Sequence, residues 1–272
     1  MQHAQRWITT IVLAPLVIWI LIKGTPMILA ALVTVVAIFA IKEYLRIIFS
    51  LGDGSCPWVI TAICFVTCVF LVFGAAAGSW QTMFLSLALN FVLLSVFVLF
   101  AFTARTAIFD TISRQVLGIL YIPFPLSFLL FIRNMDDGIL WIIWLLIVCF
   151  INDTGAFYTG TFFGKNKLSP HISPNKTIEG SMGGIAASMT AGVVFSLLFF
   201  GSPVLALITL PCSILIAVAG QVGDLFESAL KRASGIKDSG RILPGHGGML
   251  DRIDGLLFAV PVLYGYLVLV VV

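Results

Sequence analysis

The sequence has few charged residues, and this shortage excludes most classes of soluble protein. Only 10% of its 272 residues are Asp, Glu, Lys or Arg, against about 25% in an average soluble domain. Hydrophobic residues make up 60% of the chain, and no stretch with the composition of a soluble domain remains between the apolar runs. The formal net charge is only +3 and no nucleic-acid-binding motif is present, so no nucleic-acid partner is expected.

Cysteine is also scarce and unpatterned. The five cysteines lie in or beside apolar runs, and none has the C-x2-C spacing of a zinc site. Neither a disulfide framework nor a structural zinc site is therefore expected.

Apolar runs long enough to cross about 30 Å of hydrocarbon recur along the whole chain. They lie near residues 8–22, 27–48, 58–75, 81–102, 116–132, 139–163, 183–200, 204–226 and 254–272. This pattern predicts an all-α, polytopic integral membrane protein with about nine transmembrane helices. Helices one to five occupy residues 1–135, and helices six to nine, with the catalytic loops, occupy residues 136–272. Pro123 and Pro125 predict a kink in the fifth span.

The basic residues predict the orientation in the membrane. With a cytoplasmic N-terminus, all 15 Lys and Arg residues except Lys23 and Arg133 fall on the cytoplasmic side, as the positive-inside rule requires. The odd number of helices then places the C-terminus on the opposite side. In the first half, Glu43 precedes Arg46 by three residues, which predicts a helical salt bridge between them.

Two polar clusters interrupt the second half. Asp153 lies in the sixth span, where an acid normally faces a protein interior or a watery cavity; the alternative is an interhelical hydrogen bond. The run SPNKTIEG, from Ser173 to Gly180, offers Lys176 to a phosphate. Its Glu179 can contact a metal ion or orient Lys176.

The second cluster begins inside the eighth span. Asp224, Glu227, Ser228 and Lys231 stand at i, i+3, i+4 and i+7 and so share one helix face. Asp224 follows a long apolar run and needs a partner there. A Mg²⁺ ion suits this place, because it takes carboxylates together with water and phosphate.

A loop with the composition of tight turns follows, from Gly235 to Gly248, and its backbone can approach a phosphate. Asp251 and Asp254 come next, at the start of the ninth helix, and share a face as further predicted metal ligands. His246 in the loop is either a structural hydrogen-bonding residue or a catalytic one.

The stretch from Ser228 to Asp254 reads S-x-L-K-R-x4-K-D-x-G-x2-L-P-x-H-G-G-M-x-D-R-I-D. It resembles the signature of phosphatidate cytidylyltransferases, and the SPNKTIEG run resembles the same family. The resemblance implies a Mg²⁺-dependent enzyme of the bacterial inner (plasma) membrane. The distribution of basic residues predicts that its active site faces the cytoplasm. Such an enzyme transfers CMP from CTP to phosphatidic acid, giving CDP-diacylglycerol and pyrophosphate in phospholipid biosynthesis. A second cation and a homodimer are further expectations that the spacing does not supply.

The reaction implied by this resemblance needs no protein nucleophile, because the phosphate of phosphatidic acid is itself nucleophilic. Positioning and charge neutralisation suffice. The expected catalytic residues are Asp224, Asp251, Lys237 and His246. The expected metal ligands are Asp224, Asp251, Asp254, Glu227 and Asp153. The expected substrate-binding residues are Lys176, Lys231, Arg232, Arg241, Arg252, Ser228, Gly247 and Gly248.

Three other classes of protein compete with this hypothesis. A transporter or channel also carries intramembrane acids, but here the polar residues cluster on one side of the membrane. A CDP-alcohol phosphotransferase would carry the pattern D-G-x2-A-R-x8-G-x3-D-x3-D, which is absent from the sequence. A purely structural membrane protein would gain nothing from such a dense set of charges.

Overall fold

The computed structural model describes residues 15–51, 56–101, 107–240, 242 and 247–271. Within these ranges eight helices are long and apolar enough to span a membrane. The prediction of an all-α, polytopic integral membrane protein is therefore confirmed. The first predicted span lies partly outside the described residues, and its described part, residues 15–23, is helical and is called α1.

The remaining elements follow in chain order. The first group is α2 (Pro26–Phe49), α3 (Trp58–Ala76), α4 (Trp80–Ala101), α5 (Ala107–Tyr121), α6 (Pro123–Arg133) and α7 (Gly138–Phe163). A hairpin of β1 (Lys167–Ser169) and β2 (Ser173–Thr177) leads into α8 (Ile178–Phe195), which is followed by α9 (Pro203–Ala233) and α10 (Leu250–Tyr266). Short π-helical segments at Ser196–Phe200 and Leu267–Val271 follow α8 and α10.

Proline sets two of the helix boundaries. Pro26 occupies the first turn of α2, where its missing N–H is not needed, and the Thr25 side chain caps that turn by accepting from the Ile28 N–H at 3.3 Å. The predicted kink in the fifth span is a break: α5 ends at Tyr121 and α6 begins at Pro123.

Contacts divide the described residues into two compact units. The first comprises residues up to Asn134 together with Ala233–Arg252, and the second comprises Met135–Arg232 together with Ile253 onward. The predicted division after residue 135 counts helices along the chain, whereas these units are defined by contacts. The segment after α9 therefore belongs to the first unit although it lies in the second half of the sequence.

In the first unit, α3 packs against α2, α4, α5 and α6, and α2 also packs against α5 and α6. A polar network is buried among these helices. The Asn90 amide oxygen accepts hydrogen bonds from the Thr67 hydroxyl at 3.0 Å and from the Gln115 amide at 2.8 Å. These bonds satisfy polar groups that would be costly to leave unpaired in an apolar interior.

In the second unit, α7 and α8 pack together along small residues. Gly180, Gly184 and Ser188 recur every four residues and are buried. A Cβ added at Gly184 would collide with the Asn152 backbone and side-chain oxygens, at 2.7 Å from each. The sequence pattern predicts this small-xxx-small packing, and it brings the polar residues of α7 close to the start of α8.

Candidate functional site

The β-hairpin of the second unit places Lys176 at the beginning of a helix. The two strands are antiparallel, with Lys167 opposite Thr177. Thr177 ends β2 and also caps α8, since its hydroxyl oxygen accepts from the Gly180 N–H at 3.1 Å. Lys176 therefore lies directly before a helix N-terminus, where unpaired backbone N–H groups favour an anion.

Glu179 holds the beginning of this hairpin in place. Its carboxylate accepts hydrogen bonds from the Lys165 N–H at 3.1 Å, the Asn166 N–H at 3.2 Å and the Asn166 side-chain amide at 2.7 Å. Glu179 thus shapes the hairpin, and its expected roles, in binding a metal ion or in orienting Lys176, stay predictions.

Lys176 forms an ion pair with Asp224 of α9. The pair is partly accessible, with 28% of the Lys176 side chain and 39% of the Asp224 side chain exposed. The Ser228 hydroxyl donates to the second Asp224 oxygen at 3.4 Å. The partner that Asp224 requires within an apolar helix is thus a lysine from the other sequence motif, and the two motifs meet in space.

Two more of the predicted metal ligands interact electrostatically with Asp224. They are Asp153 of α7 and Asp254 of α10, both in the same unit. One Asp254 oxygen accepts the Gly255 N–H at 2.9 Å. The described residues contain no group of three His, Cys, Asp or Glu side chains that could hold a metal ion by itself. Any ion here therefore needs further ligands from water or substrate.

Beside these charged groups, neutral polar side chains form hydrogen bonds that link α7, α8 and α9. The Gln221 amide donates to the Asn152 side-chain oxygen at 2.9 Å and to the Ser181 carbonyl at 3.1 Å. The Ser181 hydroxyl donates back to the Gln221 amide oxygen. Since these residues come from α7, α8 and α9, the network fixes the spacing of the helices that carry the charges.

These groups line one cavity with a volume of about 590 Å³. Its polar wall includes Asp153, Lys176, Asp224 and Gln221, and its apolar wall includes Phe157. Ligand cavities in proteins commonly measure about 300–1,000 Å³ and combine apolar walls with a few polar groups. The cavity is thus large enough for a nucleotide-sized ligand.

Other predicted site residues on α9 have different surroundings. Glu227 is buried, at 1% exposure, and forms an ion pair with Lys231 one turn later. Arg232 is exposed, and its Nε–H donates to the Ile172 carbonyl at 3.3 Å. Lys231 and Arg232 thus contact other parts of the second unit, and their substrate-binding roles stay predictions.

Asp251 organises the turn that precedes α10, in the first unit. Its carboxylate accepts the Ser239 N–H at 3.1 and 3.2 Å and the Gly248 N–H at 2.8 Å. Gly247 has a φ of 86°, which favours glycine, and a Cβ there would lie 2.9 Å from an Asp251 oxygen. Gly247 is therefore required by the turn itself, and Gly248 contributes its N–H group to it.

The rest of the signature is only partly described. Lys237 and Arg252 are exposed side chains. Arg241 and His246 lie outside the described residues, so their predicted roles in substrate binding and catalysis stay predictions.

The expected salt bridge between Glu43 and Arg46 is wrong. Glu43 instead accepts hydrogen bonds from the Ser239 hydroxyl at 3.0 Å and from the Leu250 N–H at 2.9 Å, and Arg46 donates to the Ser239 carbonyl. Both side chains of α2 thus contact the signature segment. The i, i+3 spacing concealed this, but a carboxylate in a largely apolar helix is a signal that could have revealed it.

Comparison with known proteins identifies cytidylyltransferases as similar to this chain. The sequence matches the Cytidylyltransferase family over residues 4–270. It is 37% identical over 250 residues to a phosphatidate cytidylyltransferase of Staphylococcus haemolyticus, covering 90% of each chain. A phosphatidate cytidylyltransferase of Staphylococcus aureus is 36% identical over 263 residues, which is 95% of this chain and 96% of that protein. The one from Bacillus subtilis is 41% identical over 181 residues, or 65% of this chain and 67% of the other.

Proposed function

This chain belongs to the cytidylyltransferase family, and we propose that it transfers CMP from CTP to phosphatidic acid. The products are CDP-diacylglycerol and pyrophosphate. The observation that carries the proposal is the cavity in which Lys176, at the N-terminus of α8, meets the carboxylate of Asp224. This combination suits a polyphosphate. Cationic groups and helix N–H groups bind the phosphate oxygens, and carboxylates bind the metal ions that accompany the phosphates.

The reaction is an in-line displacement at phosphorus. A phosphate oxygen of phosphatidic acid attacks the α-phosphorus of CTP, and the bond from that phosphorus to the oxygen bridging to the β-phosphorus breaks. Pyrophosphate leaves with the bonding electrons, so no covalent bond to the protein forms. Lys176 and the first N–H groups of α8 would offset the negative charge that grows on the leaving group.

The carboxylates of the cavity fit Mg²⁺. This ion is usually bound through one or two carboxylates, with waters and substrate phosphates as its other ligands, and Asp153 and Asp224 both line the cavity. We assign these two as the leading ligands in the second unit, with Asp254 in support. When bound, Mg²⁺ would neutralise phosphate charge and orient the triphosphate. Lys176 would then exchange its ion pair with Asp224 for contacts to phosphate.

The remaining signature residues keep the roles that the resemblance implies. Asp251 and Lys237 are proposed to take part in catalysis, with Asp251 and Glu227 as further candidate ligands of cations. Ser228, Lys231, Arg232, Arg252, Gly247 and Gly248 are proposed to contact the two phosphate-bearing substrates. Substitution of each residue, followed by separate KM values for CTP and phosphatidic acid, would assign each to one substrate.

We further propose that the site faces the cytoplasm of a bacterial inner membrane. The distribution of basic residues supports this orientation, and CTP is a cytoplasmic metabolite. A cysteine introduced at Lys167, which is exposed on the hairpin, should react with an impermeant maleimide only after the cells are opened. Reaction in intact spheroplasts would reverse the orientation. A homodimer is proposed as well, and crosslinking that yields only monomers would refute it.

The direct test uses purified protein, phosphatidic acid in micelles, Mg²⁺ and CTP labelled at the α-phosphate. Label should move into the organic phase with wild-type protein and should stay in the aqueous phase with Asp224→Asn. Absence of transfer by folded wild-type protein would contradict the proposed activity.

A further inference from the structure

Ser239 anchors the signature segment, by which we mean the described residues of 239–251, to the rest of the first unit. This residue is fully buried, and three of its polar groups form hydrogen bonds with charged side chains. Its hydroxyl donates to Glu43, its carbonyl accepts from Arg46, and its N–H donates to Asp251. Ser239 therefore connects the end of α2 to the first turn of α10.

Glu43 makes a second connection to the same turn. The oxygen that accepts from Ser239 also accepts the Leu250 N–H at 2.9 Å, and Leu250 is the first residue of α10. Glu43 is only 3% exposed, so a carboxylate has been buried to make these bonds. Burial of a carboxylate is costly unless hydrogen bonds compensate for the lost hydration. The burial of Glu43 therefore indicates that its bonds to Ser239 and Leu250 are important for the protein.

The glycines of the signature segment are shaped around this carboxylate. A Cβ added at Gly240 would overlap the Glu43 carboxylate, and one at Gly248 would overlap both Glu43 and the Ser239 hydroxyl. Only a residue without a side chain can pass so close to Glu43. The signature segment thus lies against Glu43 of α2 at two places, Gly240 near its beginning and Gly248 near its end.

We propose that Glu43 and Arg46 are positioning residues for Asp251. Acting through Ser239 and Leu250, they fix the Asp251 carboxylate, which binds the Ser239 and Gly248 N–H groups, in the orientation that turnover needs. The proposal rests on the proposed function, for which Asp251 is a predicted catalytic residue. It assigns a task to the first half of the chain, which carries little of the family signature. A displacement of about 1 Å at a reacting group can lower turnover about 100-fold.

The test compares Glu43→Ala with Glu43→Gln and with a control. Glu43→Ala should lower kcat about 10- to 100-fold, with KM for CTP within about 3-fold of wild type, because geometry and not binding is lost. Glu43→Gln should restore most of kcat, since an amide oxygen can accept the same two hydrogen bonds. The control is Asn90→Ala, which removes a buried polar side chain of the same unit that does not touch the signature segment. It should lower thermal stability and leave kcat per folded protein near wild type.

Hydrogen exchange separates this inference from the proposed function, because it needs no turnover. The N–H groups of Ser239, Gly248 and Leu250 should exchange faster in Glu43→Ala than in wild type, and at the wild-type rate in Asn90→Ala. If Glu43→Ala does not fold, Glu43→Asp and Arg46→Lys provide milder changes to the same bonds and carry the same expectation. Unchanged exchange in folded Glu43→Ala, or wild-type kcat in an active preparation of that variant, would overturn the assignment; if Glu43→Ala does not fold, the same results in Glu43→Asp and Arg46→Lys would do so. Wild-type protein that transfers no CMP, yet shows the predicted exchange, would contradict the proposed function only.

Discussion

Replacing Lys176 by Met should separate the contribution of this side chain to turnover from its contribution to stability. The change keeps an unbranched side chain and removes its charge. The structural loss is expected to be small, because both members of the Lys176–Asp224 pair are partly exposed, and such pairs contribute about 1 kcal/mol or less. A loss of that size lowers Tm by less than about 4 °C in a protein of this length.

The catalytic loss should be much larger. A unit charge about 4 Å from the leaving pyrophosphate contributes on the order of 4 kcal/mol at an effective dielectric constant of about 20. Since 28% of the Lys176 side chain is exposed, solvent screening reduces this figure to roughly 3 kcal/mol. A barrier higher by that amount slows turnover about 100-fold, in line with the loss seen when one oxyanion-stabilising group is removed.

The assay measures kcat with labelled CTP and Tm in the same detergent. Lys167→Met is the matched control, because Lys167 lies on the same hairpin, is exposed and does not line the cavity; it should keep wild-type turnover. Lys176→Arg should recover part of the activity, since the charge returns with a different shape. Wild-type turnover by Lys176→Met, or a loss explained entirely by unfolding, would show that the charge of Lys176 does not stabilise the leaving group.

The other predictions concern the carboxylates, a cysteine and the cation. Asp224→Asn and Asp251→Asn should abolish turnover while expression and detergent extraction stay near normal, as radiolabel transfer and size-exclusion profiles would show; activity in both would remove them from the site. Glu227→Ala should destabilise the protein by about 3 kcal/mol, because it breaks the largely buried ion pair between Glu227 and Lys231, and an unchanged unfolding temperature would disprove this. Cys64→Ala should keep its turnover, and a large loss would reveal an unrecognised part of the site. EDTA should stop transfer and added Mg²⁺ should restore it, whereas full activity in EDTA would argue against a divalent cation.

The spanning helices could be predicted from the sequence because apolar length is a strong signal. Eight of the predicted spans are found among the described residues, and the break at Pro123 follows from the geometry of proline. The pairing of Lys176 with Asp224 was not predictable, since the two residues lie far apart in sequence and meet only where β2 approaches α9 in the folded chain. The first motif alone indicated a phosphate site at Lys176, and the second indicated a Mg²⁺ ion beside Asp224.

Two features escaped prediction for a different reason. The strands β1 and β2 are only three and five residues long, and neither shows the sustained alternation of apolar and polar residues that marks a strand. Glu43 and Arg46 have a spacing that fits a local salt bridge equally well. Only the folded chain shows that both side chains bind Ser239, nearly 200 residues further along.

The proposed activity joins CMP to phosphatidic acid with release of pyrophosphate. The most direct measurement runs parallel reactions with CTP labelled at the α-phosphate and at the γ-phosphate. We expect α-label to enter the lipid phase, γ-label to appear only in pyrophosphate, and the two amounts to be equal. Entry of γ-label into lipid, or release of pyrophosphate without labelled lipid, would contradict it.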